Sequence, residues 1–352
     1  MTRSITPHSR PCRQEWSGIF TVLLLLAIAC LGPVLNWNCR LDGCEPEPAA
    51  KSAESRAIEF LCREVPRWSV ENRCYSCHNN GDGARALFEA ARCGLAVSHP
   101  SVANTLEWLQ SPHRWEHNSG EGPFSDKKLA RLQFAASLCG AVEAKLICDR
   151  RPLIEAARLV AADQEPDGSW QIEPAETIGS PVTYGRPLAT FIARDTLHAA
   201  DARCFCESIV KADSWLADFP VRSVLDAAVA VRAGVRGSDP AMKRRVDQAL
   251  DLLRRAQSVE GGWGPYVTAP PESFDTAVVL FALAGCSNRQ GVSDIIGRGR
   301  SFLLAAQLPD GSWPETTRPA GAESYAQRLS TSGWATIALL ATRSPERPRR
   351  QH

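Results

Sequence analysis

Two apolar patterns alternate along the chain. In the first, apolar residues recur at i, i+3, i+4 and i+7: Leu153, Ala156, Ala157 and Val160 form one set, and Val246, Ala249, Leu250 and Leu253 another. That spacing puts one apolar stripe on a helix whose other face meets water. In the second, apolar residues run on with little interruption, as in FDTAVVLFALAGC at 274–286, VRSVLDAAVAV at 221–231 and GWATIALLA at 333–341. A helix apolar on all sides must be buried. The predicted unit is a half-exposed outer helix, a polar loop with Pro and Gly, and a buried inner helix.

The unit repeats. Trp68, Trp115, Trp170, Trp215, Trp263 and Trp313 follow one another at intervals of 45 to 55 residues. Three of them close the motif Q-x-x-x-G-x-W: Gln164/Gly168/Trp170, Gln257/Gly261/Trp263 and Gln307/Gly311/Trp313. Around Trp68, Trp115 and Trp215 the two-helix pattern persists without the full motif. About six units are predicted between residues 57 and 342. A single hairpin cannot bury its inner helix, so neighbours must stack. An open solenoid and a closed ring both satisfy that need.

The motif on paired helices resembles the squalene cyclase and protein prenyltransferase repeat family over residues 57–342 of the 352. The resemblance implies an all-α fold, an α/α toroid of about six helical hairpins with the inner helices around a central cavity. It gives the motif Gln and Trp a structural role, tying neighbouring outer helices together. It also implies an isoprenoid-like apolar ligand for the cavity.

Residues 16–39 carry no charged side chain. About 20 residues at ~1.5 Å rise span a ~30 Å hydrocarbon core, so an N-terminal transmembrane helix is predicted there as a signal anchor. Arg3, Arg10 and Arg13 against Glu15 place residues 1–15 in the cytoplasm and the main domain outside, periplasmic or extracellular. A cleaved signal peptide and a lipoprotein signal ending at Cys30 are the alternatives, and both also export the domain. Residues 40–56 read as a polar linker, and 343–352 as a basic disordered tail. The formal net charge of +1 gives no footprint for nucleic acid.

Thirteen cysteines, an odd number, exclude complete internal pairing. Cys93, Cys139 and Cys286 end predicted inner helices and read as buried small residues. Cys74-Tyr75-Ser76-Cys77-His78 is the C-x-x-C-H pattern of c-type haem attachment. Two thiols at this spacing can each bond one vinyl group of a porphyrin, and the adjacent histidine can ligate its iron. Haem c is therefore the expected cofactor, held by Cys74, Cys77 and His78. His113 or His117, in the corresponding loop of the second unit, is the candidate second axial ligand. Zinc is the alternative cofactor, with His113 or His117 as fourth ligand, and a disulfide or bare thiols complete the possibilities. A haem reading makes the chain an exported, membrane-anchored electron-transfer or oxidoreductase protein with a redox partner.

The family resemblance offers other chemistry. Squalene cyclases that protonate their substrate carry an acidic D-x-D-D-T-A motif whose central Asp is the acid. The matching segment here is Glu272-Ser273-Phe274-Asp275-Thr276-Ala277, with Phe274 at the central place. Asp275 remains the candidate catalytic residue, although an Asp there also reads as a helix N-cap. Protein prenyltransferases use a zinc of Asp, Cys and His, and the spacing of Asp201 and Cys204 does not match it. An isoprenoid-processing enzyme with a degenerate acid motif and a non-catalytic binding or scaffold toroid are thus the alternative functions.

Overall fold

The computed structural model describes residues 51–117, 127–172, 178–235, 237, 239–316, 318 and 324–343. The predicted cytoplasmic segment 1–15, the transmembrane anchor 16–39 and most of the linker and tail lie outside these residues. Among the described residues no helix is long and apolar enough to cross a membrane.

Twelve α-helices and no strand make up the described residues. The outer helices are α1 (Ala53–Asn72), α3 (His99–Leu109), α5 (Arg151–Ala162), α7 (Cys206–Asp218), α9 (Pro240–Ala256) and α11 (Val292–Ala306). The inner helices are α2 (Ala84–Arg92), α4 (Lys127–Glu143), α6 (Arg186–Asp201), α8 (Val224–Gly234), α10 (Ser273–Ala284) and α12 (Tyr325–Ala341). The stripes read from the sequence are the buried faces: Leu153, Ala156, Ala157 and Val160 in α5, and Val246, Ala249, Leu250 and Leu253 in α9. α10 and α12 are buried on nearly every side. Local signals set the starts. Asp239 caps α9, Ser223 and Asp226 form a capping box on α8, and Pro stands in the first turn of α5, α6 and α9.

Each inner helix packs on the next, from α2 through α4, α6, α8 and α10 to α12, and α12 packs back on α2. The ring is closed, so the open solenoid is excluded. The motif makes the joints. Gln164 Nε2 donates to its own loop at Gly168 O (2.9 Å) and to Ser208 O on the next outer helix (2.9 Å). Gln257 does the same to Gly261 O and Ile295 O. Gln307 reaches Gly311 O at 3.0 Å and Ala53 O at 2.9 Å, so the last motif grips the first helix. Arg300 adds a 3.1 Å ion pair to Glu54 across the same seam.

Each motif tryptophan is buried and donates its indole N–H to the preceding outer helix, at Val160 O, Leu253 O and Leu303 O, each 2.7 Å. Its backbone N–H is received by a hydroxyl of the inner helix, Thr190, Thr276 or Ser332. At ~25 cal/mol per Å² and roughly 200 Å² buried, each ring contributes about 5 kcal/mol before conformational entropy is subtracted. The even tryptophan spacing is not one motif throughout: Trp68 and Trp215 lie within outer helices α1 and α7, and Trp115 in the 3-10 helix Pro112–His117. The toroid also begins earlier than predicted, because α1 starts at Ala53, inside the expected linker.

Candidate functional site

The first inner helix is extended by a π-helix, Cys77–Gly83, that runs into α2. A π turn opens the backbone ladder and needs tertiary support. Asn79 Nδ2 donates to Glu64 O (2.8 Å) and Tyr325 Oη (2.9 Å), tying the π-helix to α1 and α12. Asn80 Nδ2 donates to Thr105 Oγ1 (2.8 Å) of α3. The backbones approach closely on both flanks: a Cβ on Gly81 would lie 2.8 Å from Gln133 Cβ of α4, and one on Gly333 of α12 would lie 2.8 Å from Asp82 O.

This wedge delivers Asp82 to the ring's interior. Its carboxyl is 1% exposed and meets side chains from three other repeats. Tyr184 donates its phenol to Oδ1, Gln133 Nε2 donates to Oδ2 at 2.8 Å, and Ser330 of α12 also bonds it. Ser330 Oγ lies 2.9 Å from His78 Nδ1. Burial raises the Asp82 pKa to about 6, opposed by Tyr184 and Arg85. Burial likewise lowers His78 to about 4, so its imidazole is neutral. Tyr184 is held well above its ordinary pKa by burial and stays a donor. Its backbone is left-handed, at φ 57. For a bulky residue that conformation is strained and persists only when surroundings fix it, a feature common at functional sites.

One turn beyond Asp82, Arg85 lines a cavity of about 540 Å³ in the middle of the ring. All six inner helices contribute to its wall. Phe191, Phe281, Ile192 and Ile337 give it apolar surface, and Glu89, Glu143, Asp195, Arg92 and Arg232 a polar mouth. Trp334 touches partners of both: Tyr184, Phe274 and Phe281 meet it edge-on at 5.7, 6.1 and 5.7 Å, and the Arg85 guanidinium lies 4.8 Å from its centroid. Buried polar atoms without a hydrogen-bond partner occur on α2, α4 and α12, at Arg85 Nη1, Gln133 Oε1, Ser137 Oγ, Thr331 Oγ1 and Trp334 Nε1. Such atoms are costly unless water or a ligand completes them.

Asp275, the acid suggested by the sequence, is placed differently. It is not the N-cap, which is Glu272, but lies in the first turn of α10. Both its oxygens accept from Arg318 Nη2, at 3.0 and 2.9 Å, and Arg318 also donates to Glu272 (2.6 Å) and to Gly179 O (3.2 Å). Burial raises its pKa to about 7 against the pull of Arg318. This bridge ties loops of three repeats over one end of the ring. Asp275 holds that end together, whereas Asp82 meets neutral donors and adjoins the cavity-lining Arg85.

The C-x-x-C-H residues lie where the chain enters the π-helix. Cys74 is half-buried, and Cys77 is part of the hydrophobic core. His78 has the donor chemistry of an iron ligand, a neutral ring with Nδ1 anchored on Ser330. The packing does not suit a porphyrin, because a thioether at Cys77 requires an open face that the core occupies. His113 is exposed in the 3-10 helix that His117 ends. Among the described residues no group of three or more His, Cys, Asp or Glu side chains is arranged to hold a metal. Asp201 only caps the turn to Arg203 and Cys204. Of the three cysteines expected to be buried, Cys286 is, Cys139 is partly so and Cys93 is exposed. A haem stain of exported, denatured chain, made alongside c-type maturation machinery, is expected to be blank. A signal lost in Cys77→Ser would show that the π-helix opens.

No family model matches the chain. Among curated proteins it is 27% identical to human lanosterol synthase over 111 residues, 30% of this chain and 15% of that enzyme. It is 24% identical over 255 residues to drimenyl diphosphate synthase of Streptantibioticus cattleyicolor, 68% of this chain and 45% of that protein. The chain therefore spans less than half the length of these relatives. Among solved structures, an unsaturated glucuronyl hydrolase specific for heparin superposes with a TM-score of 0.58 at 10% identity, over 82% of this chain and 95% of the other. A variant of the type II terpene cyclase MstE from Scytonema, in complex with merosterolic acid A, gives 0.53 at 14%, over 82% and 97%. The structural matches show the toroid fold, which polysaccharide and terpenoid enzymes share. The support for a squalene-cyclase-like kinship comes from the sequence similarity to the two synthases, over 30% and 68% of this chain.

Proposed function

We propose that the toroid is a terpene-cyclase-like enzyme that takes a linear isoprenoid into its ring and starts cyclisation by protonating a double bond from Asp82. The observation that carries this reading is a buried carboxyl that keeps its proton up to about pH 6, held by neutral donors one helical turn from Arg85 of a cavity that Phe191 and Phe281 line in part. Sequence similarity to lanosterol synthase and drimenyl diphosphate synthase supports the substrate class.

The chemistry follows from the contacts. Burial keeps the proton on Asp82 up to about pH 6. When an alkene takes that proton, its π electrons form the new C–H bond, a carbocation remains, and Asp82 becomes a carboxylate. The phenol of Tyr184, the amide of Gln133 and the hydroxyl of Ser330 already point at that carboxylate and lower the cost of its charge. The rings of Trp334 and Phe281 stand near the cation, and aromatic faces stabilise cations. Loss of a proton from the cyclised cation ends the reaction.

The test is product analysis after incubating the full chain with linear isoprenoids. Turnover is expected to be highest below pH 6 and to fall about tenfold per unit well above it, as Asp82 loses its proton. Stability carries the same sign. The folded pKa of about 6 exceeds the ordinary 3.8, so wild type gains most over Asp82→Asn below about pH 4 and loses that gain as pH rises through 6. A flat profile for both would remove Asp82 from the chemistry. Binding without turnover would leave a ligand-binding toroid.

A further inference from the structure

The phenol that meets Asp82 stands on a loop that packing alone does not hold. Tyr184 has φ 57 and Gly185 follows at φ 73. Two successive left-handed residues, the first of them bulky, persist only where their neighbours fix them. The loop also borders a second cavity, of about 300 Å³, whose wall includes Gly179, Tyr184, Gly185 and Leu225 of α8. It therefore has room to shift.

Bonds inside the loop make it one piece. Tyr184 N–H donates to Ser180 O (2.8 Å), Ser180 N–H donates to Thr183 Oγ1 (3.1 Å), and the Thr183 hydroxyl donates to Ile178 O (3.3 Å). A Cβ on Gly179 would lie 2.4 Å from Tyr184 O, so the two ends of the loop touch. From outside, Arg318 Nη2 donates to Gly179 O at 3.2 Å. The same guanidinium is anchored on repeat five, at Asp275 (3.0 and 2.9 Å) and Glu272 (2.6 Å). Asp275 is fully buried, and a guanidinium fork shared among several oxygens has a fixed direction.

We infer that Arg318, fixed by Asp275 and Glu272, is a positioning residue: by holding Gly179 it keeps the phenol of Tyr184 on the carboxyl of Asp82. Charged and titratable groups face Asp82 from several elements. Arg85 comes from α2, Tyr184 from the loop before α6, and His78 of the π-helix lies behind Ser330. Gln133 of α4 and Ser330 of α12 are neutral. Of these, only Tyr184 belongs to the loop that Arg318 holds. Its phenol donates to the carboxylate and so favours ionisation. Withdrawing it makes Asp82 a weaker acid. The effect on turnover rests on the cyclase reading, whereas the effect on Asp82 itself does not.

The experiment titrates Asp82 directly, by carbon NMR of the full chain labelled at its aspartate carboxyl carbons. Asp275 titrates nearby, at about 7, so the Asp82 signal is assigned by its absence from Asp82→Asn. Tyr184→Phe, which deletes the phenol, is expected to raise the Asp82 midpoint from about 6 to about 7. Arg318→Lys keeps a charge beside Asp275 and Glu272 but lacks the fork that also reaches Gly179. It is expected to move the midpoint the same way. Thr183→Val loosens the loop without altering a charge and should do so too. In the Tyr184→Phe background, Arg318→Lys is expected to add nothing, which a general loss of stability would not reproduce. Arg300→Gln, at the seam of the ring, is the control: it should lower the denaturation midpoint and leave Asp82 where it is. An unmoved Asp82 in folded Arg318→Lys and Thr183→Val, or an equal movement in Arg300→Gln, overturns the inference. Turnover of linear isoprenoids is followed alongside. Where the midpoint moves, the alkaline limb of the pH–rate profile should move with it and the rate should fall by about tenfold. A moved midpoint without cyclised product keeps the positioning role and removes the cyclase reading. Cyclised product with an unmoved midpoint does the reverse.

Discussion

Asp82→Asn is expected to lower cyclisation by about 10²–10⁴-fold, the usual contribution of a positioned general acid, in a protein that still folds. Asparagine keeps the shape and the oxygen that accepts from Tyr184. Its new amide would face Gln133 Nε2, now 2.8 Å from Asp82 Oδ2. Gln133 Oε1 has no partner, so a flip of that amide turns an acceptor toward the new donor. The substitution therefore removes an exchangeable acid proton and little packing. Chromatography of products with circular dichroism of the variant separates chemistry from folding. A folded variant that retains wild-type turnover assigns the acid elsewhere, with Asp275 the next residue to test.

Gly311→Val is expected to open the ring. Gly311 has φ 94, a conformation that costs a branched residue heavily. A Cβ there would lie 2.3 Å from Arg56 O of α1, backbone that cannot move aside. The residue sits at the seam where Gln307 grips α1. Strain and clash together should cost at least about 3 kcal/mol, and the loss should appear as a lower denaturation midpoint or as insoluble chain. Gly297 of α11 is the control. Nothing lies within 4 Å of a Cβ there, and alanine in a helix interior gains about 0.5–1 kcal/mol over glycine. Equal effects of Gly311→Val and Gly297→Ala would mean that the seam does not hold the toroid closed.

The architecture was legible because it is local and repeated. The 3.6-residue stripes of α5 and α9, and the three copies of one motif, each state the same packing rule. The motif did not show that its last copy acts on α1, some 250 residues earlier in the chain, which is a consequence of closure. The proposed acid, Asp82, was not legible for a physical reason. Asn79-Asn80-Gly81-Asp82-Gly83 has turn composition, and only contacts from α1, α3, α4 and α12 hold it as a π-helix. Tyr184, Gln133 and Ser330 come from three further repeats and leave no spacing to read. One signal was present: a glycine-flanked aspartate immediately before an inner helix. The C-x-x-C-H pattern adjoins the π-helix, and a short motif does not reveal that Cys77 is packed into the core. Asp275 matched a familial position by register, but its pairing with Arg318 depends on a loop of another repeat.

In a cyclisation begun by Asp82, a proton from the enzyme enters the product. Turnover of a linear isoprenoid in deuterated water, followed by mass spectrometry and deuterium NMR of the cyclised product, tests it most directly. One deuterium per product molecule is expected, at the carbon that accepts the initiating proton, and it is lost together with turnover in Asp82→Asn. A cyclised product without that deuterium, or no product from any linear isoprenoid, would contradict it.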